Sequence, residues 1–123
     1  MIQPRSLVVV ADNSGAKIGR VFKVLGSSKR RYANIGDLVI FSVQTAEPRK
    51  TVKKKEVLLG VVVRSRMPFR RKDGSYIRFD ENAVVVLEKE KKEPKAGRIF
   101  GPIPRELAEL GYQTIISRAP EVV

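Results

Sequence analysis

The 123-residue chain contains no cysteine, no histidine and no tryptophan. Without thiols it can build neither disulfide staples nor thiolate metal sites, a composition that a reducing cytoplasm permits. Without imidazole it also lacks most zinc chemistry and the usual nucleophile–base pairs. Long apolar runs are missing too. The longest, Val57 to Val63 counting Gly60, falls far short of the roughly 20 residues of a membrane helix. At the N-terminus, MIQPRSLVVVADNSG offers only Leu7 to Ala11 before Asp12, which is no signal-peptide shape. The expectation is a cytoplasmic protein with no membrane partner, no metal and no cofactor.

Acidic residues are scarce as well. Thirteen Asp and Glu face 25 Lys and Arg, for a net charge of +12. Such a surface calls for a polyanion, with nucleic acid first and an anionic membrane second. A membrane reading wants a basic amphipathic helix, and the one clear helical stretch, Pro104 to Leu110, carries one Arg and two Glu. The charge is also uneven. Residues 1–48 hold seven cations and three acids, 49–72 hold ten and one, and 73–123 hold eight and nine. The middle of the chain is the electrostatic footprint.

What is present in abundance is short β-branched runs between turn signals. SLVVVA, IGRVFKVLG, GDLVIFSV, EVLLGVVVR, SYIRF and AVVVLE read as six strands, and their spacing predicts a small barrel or sandwich. Asp12-Asn13-Ser14-Gly15 predicts a tight turn between the first two, and Asn34-Ile35-Gly36-Asp37 opens the third. Asp73-Gly74 predicts a hairpin with arms Val61 to Arg66 and Ser75 to Phe79. The run Ala83 to Leu87 is apolar on both faces, so it should be covered by the barrel on one side and by another element on the other. PRELAELG predicts a short helix from Pro104 to Leu110, and TIIS a last strand. A chain of this length supports one core. The expected organisation is a single domain over 1–123, with a β-barrel to about residue 90 and a loop and short-helix region over 91–123.

Three basic clusters punctuate the strands: SSKRRY at 27–32, RKTVKKKE at 49–56 and RSRMPFRRK at 64–72, the last with five cations in nine residues. A single basic loop is ordinarily a solvated face. Three of them, on loops that a small barrel can gather at one end, point to nucleic acid. The candidate contacts are Lys29, Arg30, Arg31, Arg49, Lys50, Lys53, Lys54, Lys55, Arg64, Arg66, Arg70, Arg71, Lys72 and Arg78. The eight aromatics are scattered, most at strand positions that look buried, with only Tyr32 and Phe69 set among cations. Phosphate contact is therefore expected rather than a base-stacking platform. If about six to ten cations engage, affinity should fall roughly a thousandfold or more between 50 and 200 mM salt. Enzymatic alternatives find little: LGSSKRR lacks the second Gly and the Lys-Ser/Thr pair of a phosphate loop, and Asp12, Asp37, Asp73 and Asp80 sit at strand ends as turn formers. No catalytic residue is expected.

Four segments carry a family resemblance: MIQPRSLVVVADNSGAK, RRYANIGDLVIFSV, GVVVRSRMPFRRKDGSYIRFDENAVVV and GRIFGPIPRELAELGYQTIISRAPEVV. Together they make the chain similar, nearly end to end, to large-subunit ribosomal protein fourteen of the bacterial type. The most specific part is Gly60, three aliphatics, a nine-residue spacer, Asp73-Gly74, Phe79, Asn82 and Val85-Val86. The resemblance implies a closed five-stranded β-barrel with a projecting β-ribbon and short C-terminal helices. It further implies a structural role on large-subunit ribosomal RNA, contacts to small-subunit RNA at inter-subunit bridges, and neighbours in large-subunit proteins three and nineteen. A ribosome-silencing factor is implied on the near-neutral C-terminal side, for which Arg98, Ile99, Phe100, Glu106 and Ser117 are the candidate protein-facing residues. The chain departs from the family at Gly97, where Thr is usual, and at Thr114, where Lys is common. Its 49–55 loop is more basic than the family pattern. A free-standing RNA-binding barrel that chaperones or regulates RNA is the alternative reading.

Overall fold

A computed structural model describes residues 2–26, 31–50, 52–88 and 93–123. In chain order it contains β1 (Leu7–Val10), β2 (Ala16–Val24), β3 (Leu38–Ala46), β4 (Val57–Arg64), β5 (Phe69–Arg70), β6 (Tyr76–Ile77) and β7 (Ala83–Val86). Then follow β8 (Pro102–Ile103), α1 (Glu106–Glu109), α2 (Gln113–Arg118) and β9 (Glu121–Val122). Strands β1, β2, β3, β4 and β7 close into a five-stranded barrel in that order, antiparallel throughout except where β7 meets β1 in parallel. Strands β5 and β6 form a separate two-stranded ribbon.

The barrel closes because alternating side chains fill it. Val39, Phe41 and Val43 of β3 point inward with Val8, Val21, Val62, Val84 and Val86, all buried in one cluster. Phe41 is the largest of them, and it fits because its neighbours on both sides lack side chains. A Cβ on Gly19 would stand 2.4 Å from its ring and one on Gly60 2.7 Å, closer than atoms can pack. Plugs seal the ends. Ile2, bridged to Ala33, and Val52, on the β3–β4 loop, are both buried in the same cluster.

A second apolar layer lies outside. Val61 and Val63 of β4, with Ala83, Val85 and Leu87, face away from the barrel interior and pack on Ile99, Ile103, Leu107, Tyr112 and Ile115 of the C-terminal region. The stretch Ala83 to Leu87 is thus covered on both faces, as its unbroken apolar sequence predicts. Asp12 ties the layers together. Its carboxylate accepts hydrogen bonds from Ser14 N–H at 3.1 Å, Ser14 Oγ at 2.6 Å and Val86 N–H at 2.9 Å. Burial pushes this carboxyl up from its ordinary 3.8, against the lowering effect of those hydrogen bonds.

Four expectations need correction. TIIS is not a strand but part of α2, where Ile115 buries against the second layer and Ser117 Oγ donates to Thr114 O at 2.7 Å. Tertiary burial overrides the β propensity of Ile and Thr. The first arm of the hairpin is displaced from Val61 to Arg66: β4, which ends at Arg64, pairs with β3 and β7, and the ribbon pairs Phe69 with Ile77 and Arg70 with Tyr76. Pro68 has no N–H to extend that ladder. Helix α1 spans Glu106–Glu109 rather than Pro104 to Leu110. Strands β8 and β9, a parallel pair of two residues each, have no counterpart among the predicted elements.

Candidate nucleic-acid interface

Strand direction decides where the basic clusters lie. Chain order and antiparallel pairing put the β2–β3 connection and the segment after β4 at one end of the barrel, and the β1–β2 turn and β3–β4 loop at the other. The single patch expected from three clusters is therefore divided between two ends. Of the 27–32 cluster, Lys29 and Arg30 lie outside the described residues, and Arg31 is exposed.

The β3–β4 loop sets exposed charge around one buried residue. Val52, its one apolar residue, is buried in the barrel core, while Arg49, Lys50, Lys53, Lys54 and Lys55 are all exposed around it. The turn is closed by Lys53 N–H on the Glu56 carboxylate at 3.1 Å and by Lys55 N–H on Val43 O at 2.7 Å. Arg49 and Lys55 hold left-handed backbones, with φ of 67° and 70°. Non-glycine residues rarely adopt that region, and here both are cations pointing to solvent. Among the described residues no carboxylate pairs with Lys53, Lys54 or Lys55. Five like charges around one buried anchor make a concentrated positive surface.

The 64–72 cluster behaves differently. Arg64 is only 5% exposed. Its guanidinium donates to Phe100 O at 2.7 Å, Pro102 O at 3.3 Å and Glu81 Oε1 at 2.8 Å. Close approach of its chain to Gly101, whose φ is +79°, leaves no room there for a Cβ. Arg71 is also drawn in, with Nε 2.8 Å from Glu106 and Nη2 2.7 Å from the main-chain oxygen of Val123. These two arginines, expected on RNA, act as struts between the barrel, the ribbon base and the C-terminal region. Lys72 pairs with Glu109 at 3.2 Å, both exposed. Arg66, Arg70 and Arg78 remain on the surface. Asp73, at the ribbon turn, accepts from Ser75 N–H at 2.9 Å and Ser75 Oγ at 2.6 Å, and these bonds hold its carboxyl below 3.8.

The candidate protein-facing residues also divide. Ile99 is 1% exposed and belongs to the second core layer, and Glu106 is occupied by Arg71. Arg98, Phe100 and Ser117 are exposed, with the Arg98 guanidinium 5.6 Å from the centre of the Phe100 ring. The aromatics need the largest revision. Phe41 and Tyr112 are buried, but Phe22, Tyr32, Tyr76 and Phe100 are exposed. Phe22 shares strand parity with Arg20, a signal present in the sequence.

These features define a class: a small, strongly basic β-barrel with most of its described cations on the surface and two, Arg64 and Arg71, built into the fold. A family model described as Ribosomal protein L14p/L23e matches residues 1–123, and the chain belongs to that family. Membership brings a structural, non-enzymatic role in the large ribosomal subunit and binding to ribosomal RNA.

Proposed function

We propose that the chain is fixed in the large subunit through the β3–β4 loop, with Arg49, Lys50, Lys53, Lys54 and Lys55 on ribosomal RNA phosphates. The observation that supports this most is the burial of Val52, which holds five exposed cations on one short, hydrogen-bonded turn. A preordered cation set loses little freedom on binding. Arg31, Arg66, Arg70, Lys72 and Arg78 at the opposite end add a second group of contacts, together with Lys29 and Arg30.

The side bearing Arg98, Phe100 and Ser117 is read as the protein-facing side, toward large-subunit proteins three and nineteen, with the small subunit's RNA at inter-subunit bridges. A ribosome-silencing factor would dock there, in a bacterial cytoplasm. The near balance of charge over 73–123 supports protein partners on that side. Sedimentation of a tagged copy from lysate, with particles washed in high salt, tests the reading. Persistence in the large-subunit peak is expected. Release to the top of the gradient with RNA binding intact would instead make the chain a dissociable RNA chaperone or regulator.

A further inference from the structure

We propose that the open outer face of β1 and β2 is a further RNA-contact surface, on which Phe22 stacks an unpaired base while Arg5, Arg20 and Lys23 hold the flanking phosphates. The inference rests on the RNA-binding reading above and adds to it a face and a mode of contact.

The barrel has two unlike outsides. On β4 and β7 the outward side chains are covered by the C-terminal region, and Val9 of β1 packs against that layer too, whereas Leu7 of β1 and the outward side chains of β2 stand exposed. Left open there are Phe22 at 50%, Leu7 at 54% and Ile18 at 39% exposure. Leu7 stands opposite Arg20 in the register, so apolar and cationic side chains interleave on one surface.

Backbone irregularities favour this display. A bulge between Val21 and Lys23 turns both Phe22 and Lys23 to solvent, with Val21 and Val24 buried on either side. Across from it, Arg5 N–H bonds Val21 O, and Val21 N–H bonds Ser6 O at 2.9 Å, which places Arg5 beside Phe22. Arg5 holds φ of 77°, in the left-handed region like Arg49 and Lys55. Arg20 Nη1 donates to the main-chain oxygen of Arg5 at 3.4 Å, so its guanidinium reaches the Arg5 segment at this edge.

Charge selects the occupant. Within 2–26 the exposed ionised side chains are Arg5, Lys17, Arg20 and Lys23, and the one acid, Asp12, is buried. Asp80 and Glu81 border the Leu7 and Ile18 edge, but Glu81 is paired with Arg64 and Arg66 stands at the same edge. A protein partner would need a matching acidic and apolar patch, while unpaired RNA supplies phosphates for the cations and base faces for the ring in one strand. Base–aromatic stacking of this kind tolerates any base and concerns unpaired strands.

The test is binding of the full-length chain to a single-stranded 12-mer of uridine across a salt series. Phe22→Ala is expected to weaken binding about tenfold without changing the salt slope, and Phe22→Tyr to restore it. Arg20→Gln with Lys23→Gln is expected to lower the slope by roughly 1.4, about 0.7 for each lost phosphate contact on a single strand. In assembled large subunits, ultraviolet crosslinking should place a nucleotide on the peptide that contains Phe22. If wild type binds and Phe22→Ala binds equally well, the face is not an RNA surface, although the loop reading survives. If Phe22 crosslinks to a protein instead, the occupant is overturned. If wild type binds neither this strand nor ribosomal RNA, the RNA-binding reading itself fails and takes this inference with it.

Discussion

The loop at 49–56 and the segment at 64–72 each place five cations in eight or nine residues, yet the fold uses them in opposite ways. In the first, the apolar Val52 goes inward and every cation stays out. In the second, Arg64 and Arg71 go inward to meet main-chain oxygens at Phe100, Pro102 and Val123 and the carboxylates of Glu81 and Glu106. The difference lies in the neighbours. A guanidinium carries five donors in a planar fork and can satisfy several buried acceptors at once, whereas a Lys ammonium is strongly hydrated and stays in water. Local charge density therefore shows where cations are, and the acceptors left over by the fold decide which of them remain available.

The largest effect that would sharpen this contrast is at Arg64. Arg64→Met should cost about 3 kcal/mol of unfolding free energy, because carbonyls at Phe100 and Pro102 lose their donor. Denaturant titration reads it, and a variant as stable as wild type would mean the strut is dispensable. Arg71→Gln should cost less, about 1.5 kcal/mol, since its side chain is partly accessible at 12% and water can take over some acceptors.

Smaller effects separate the two Asp-x-Ser turns. Asp12 and Asp73 each accept from the N–H and Oγ of the Ser two residues on, but Asp12 is buried and Asp73 open. The raised carboxyl of Asp12 means the folded state holds its proton more tightly than the unfolded chain. Its contribution to stability is full below 3.8 and declines as pH rises through the folded value. For Asp73 the sign reverses: its contribution is present above 3.8 and disappears as pH falls through its lowered folded value. Carboxyl carbon shifts followed by NMR should show Asp12 titrating above 3.8 and Asp73 below it. Coincident midpoints would remove burial as the cause. Smallest of all is Lys72→Ala. Its pair with Glu109 is 88% and 60% exposed, so no measurable change in unfolding is expected.

Much of the barrel was legible from the sequence because strands filled on alternate positions leave a period-two record, as in Val39, Phe41 and Val43. The double burial of Ala83 to Leu87 was legible for the converse reason, an apolar run with no alternation. What escaped depends on distant partners. Nothing local in Pro102–Ile103 announces a parallel partner at Glu121–Val122, and the β-branched Thr114-Ile115-Ile116 becomes helix only because Ile115 docks on the second core layer. At the candidate site, the loop cations could be read from composition, since a single Val among five cations is the natural inward residue. The inward turn of Arg64 could not, because its acceptors lie 36 and 38 residues away in the chain. The exposure of Phe22 was partly legible from its parity with Arg20, but strand aromatics are commonly buried, and only the uncovered outer face of β1 and β2 leaves this one open.

The most direct test of the contrast is the salt dependence of ribosomal RNA binding for a Lys53→Ala, Lys54→Ala, Lys55→Ala variant beside Arg64→Met, both checked as folded. The loop variant should keep wild-type stability and lose roughly 2 to 3 units of slope, at about 0.7 to 0.9 per phosphate contact, while Arg64→Met keeps the wild-type slope. An unchanged slope in the loop variant, or a reduced one in Arg64→Met, would contradict the division of labour between the two runs.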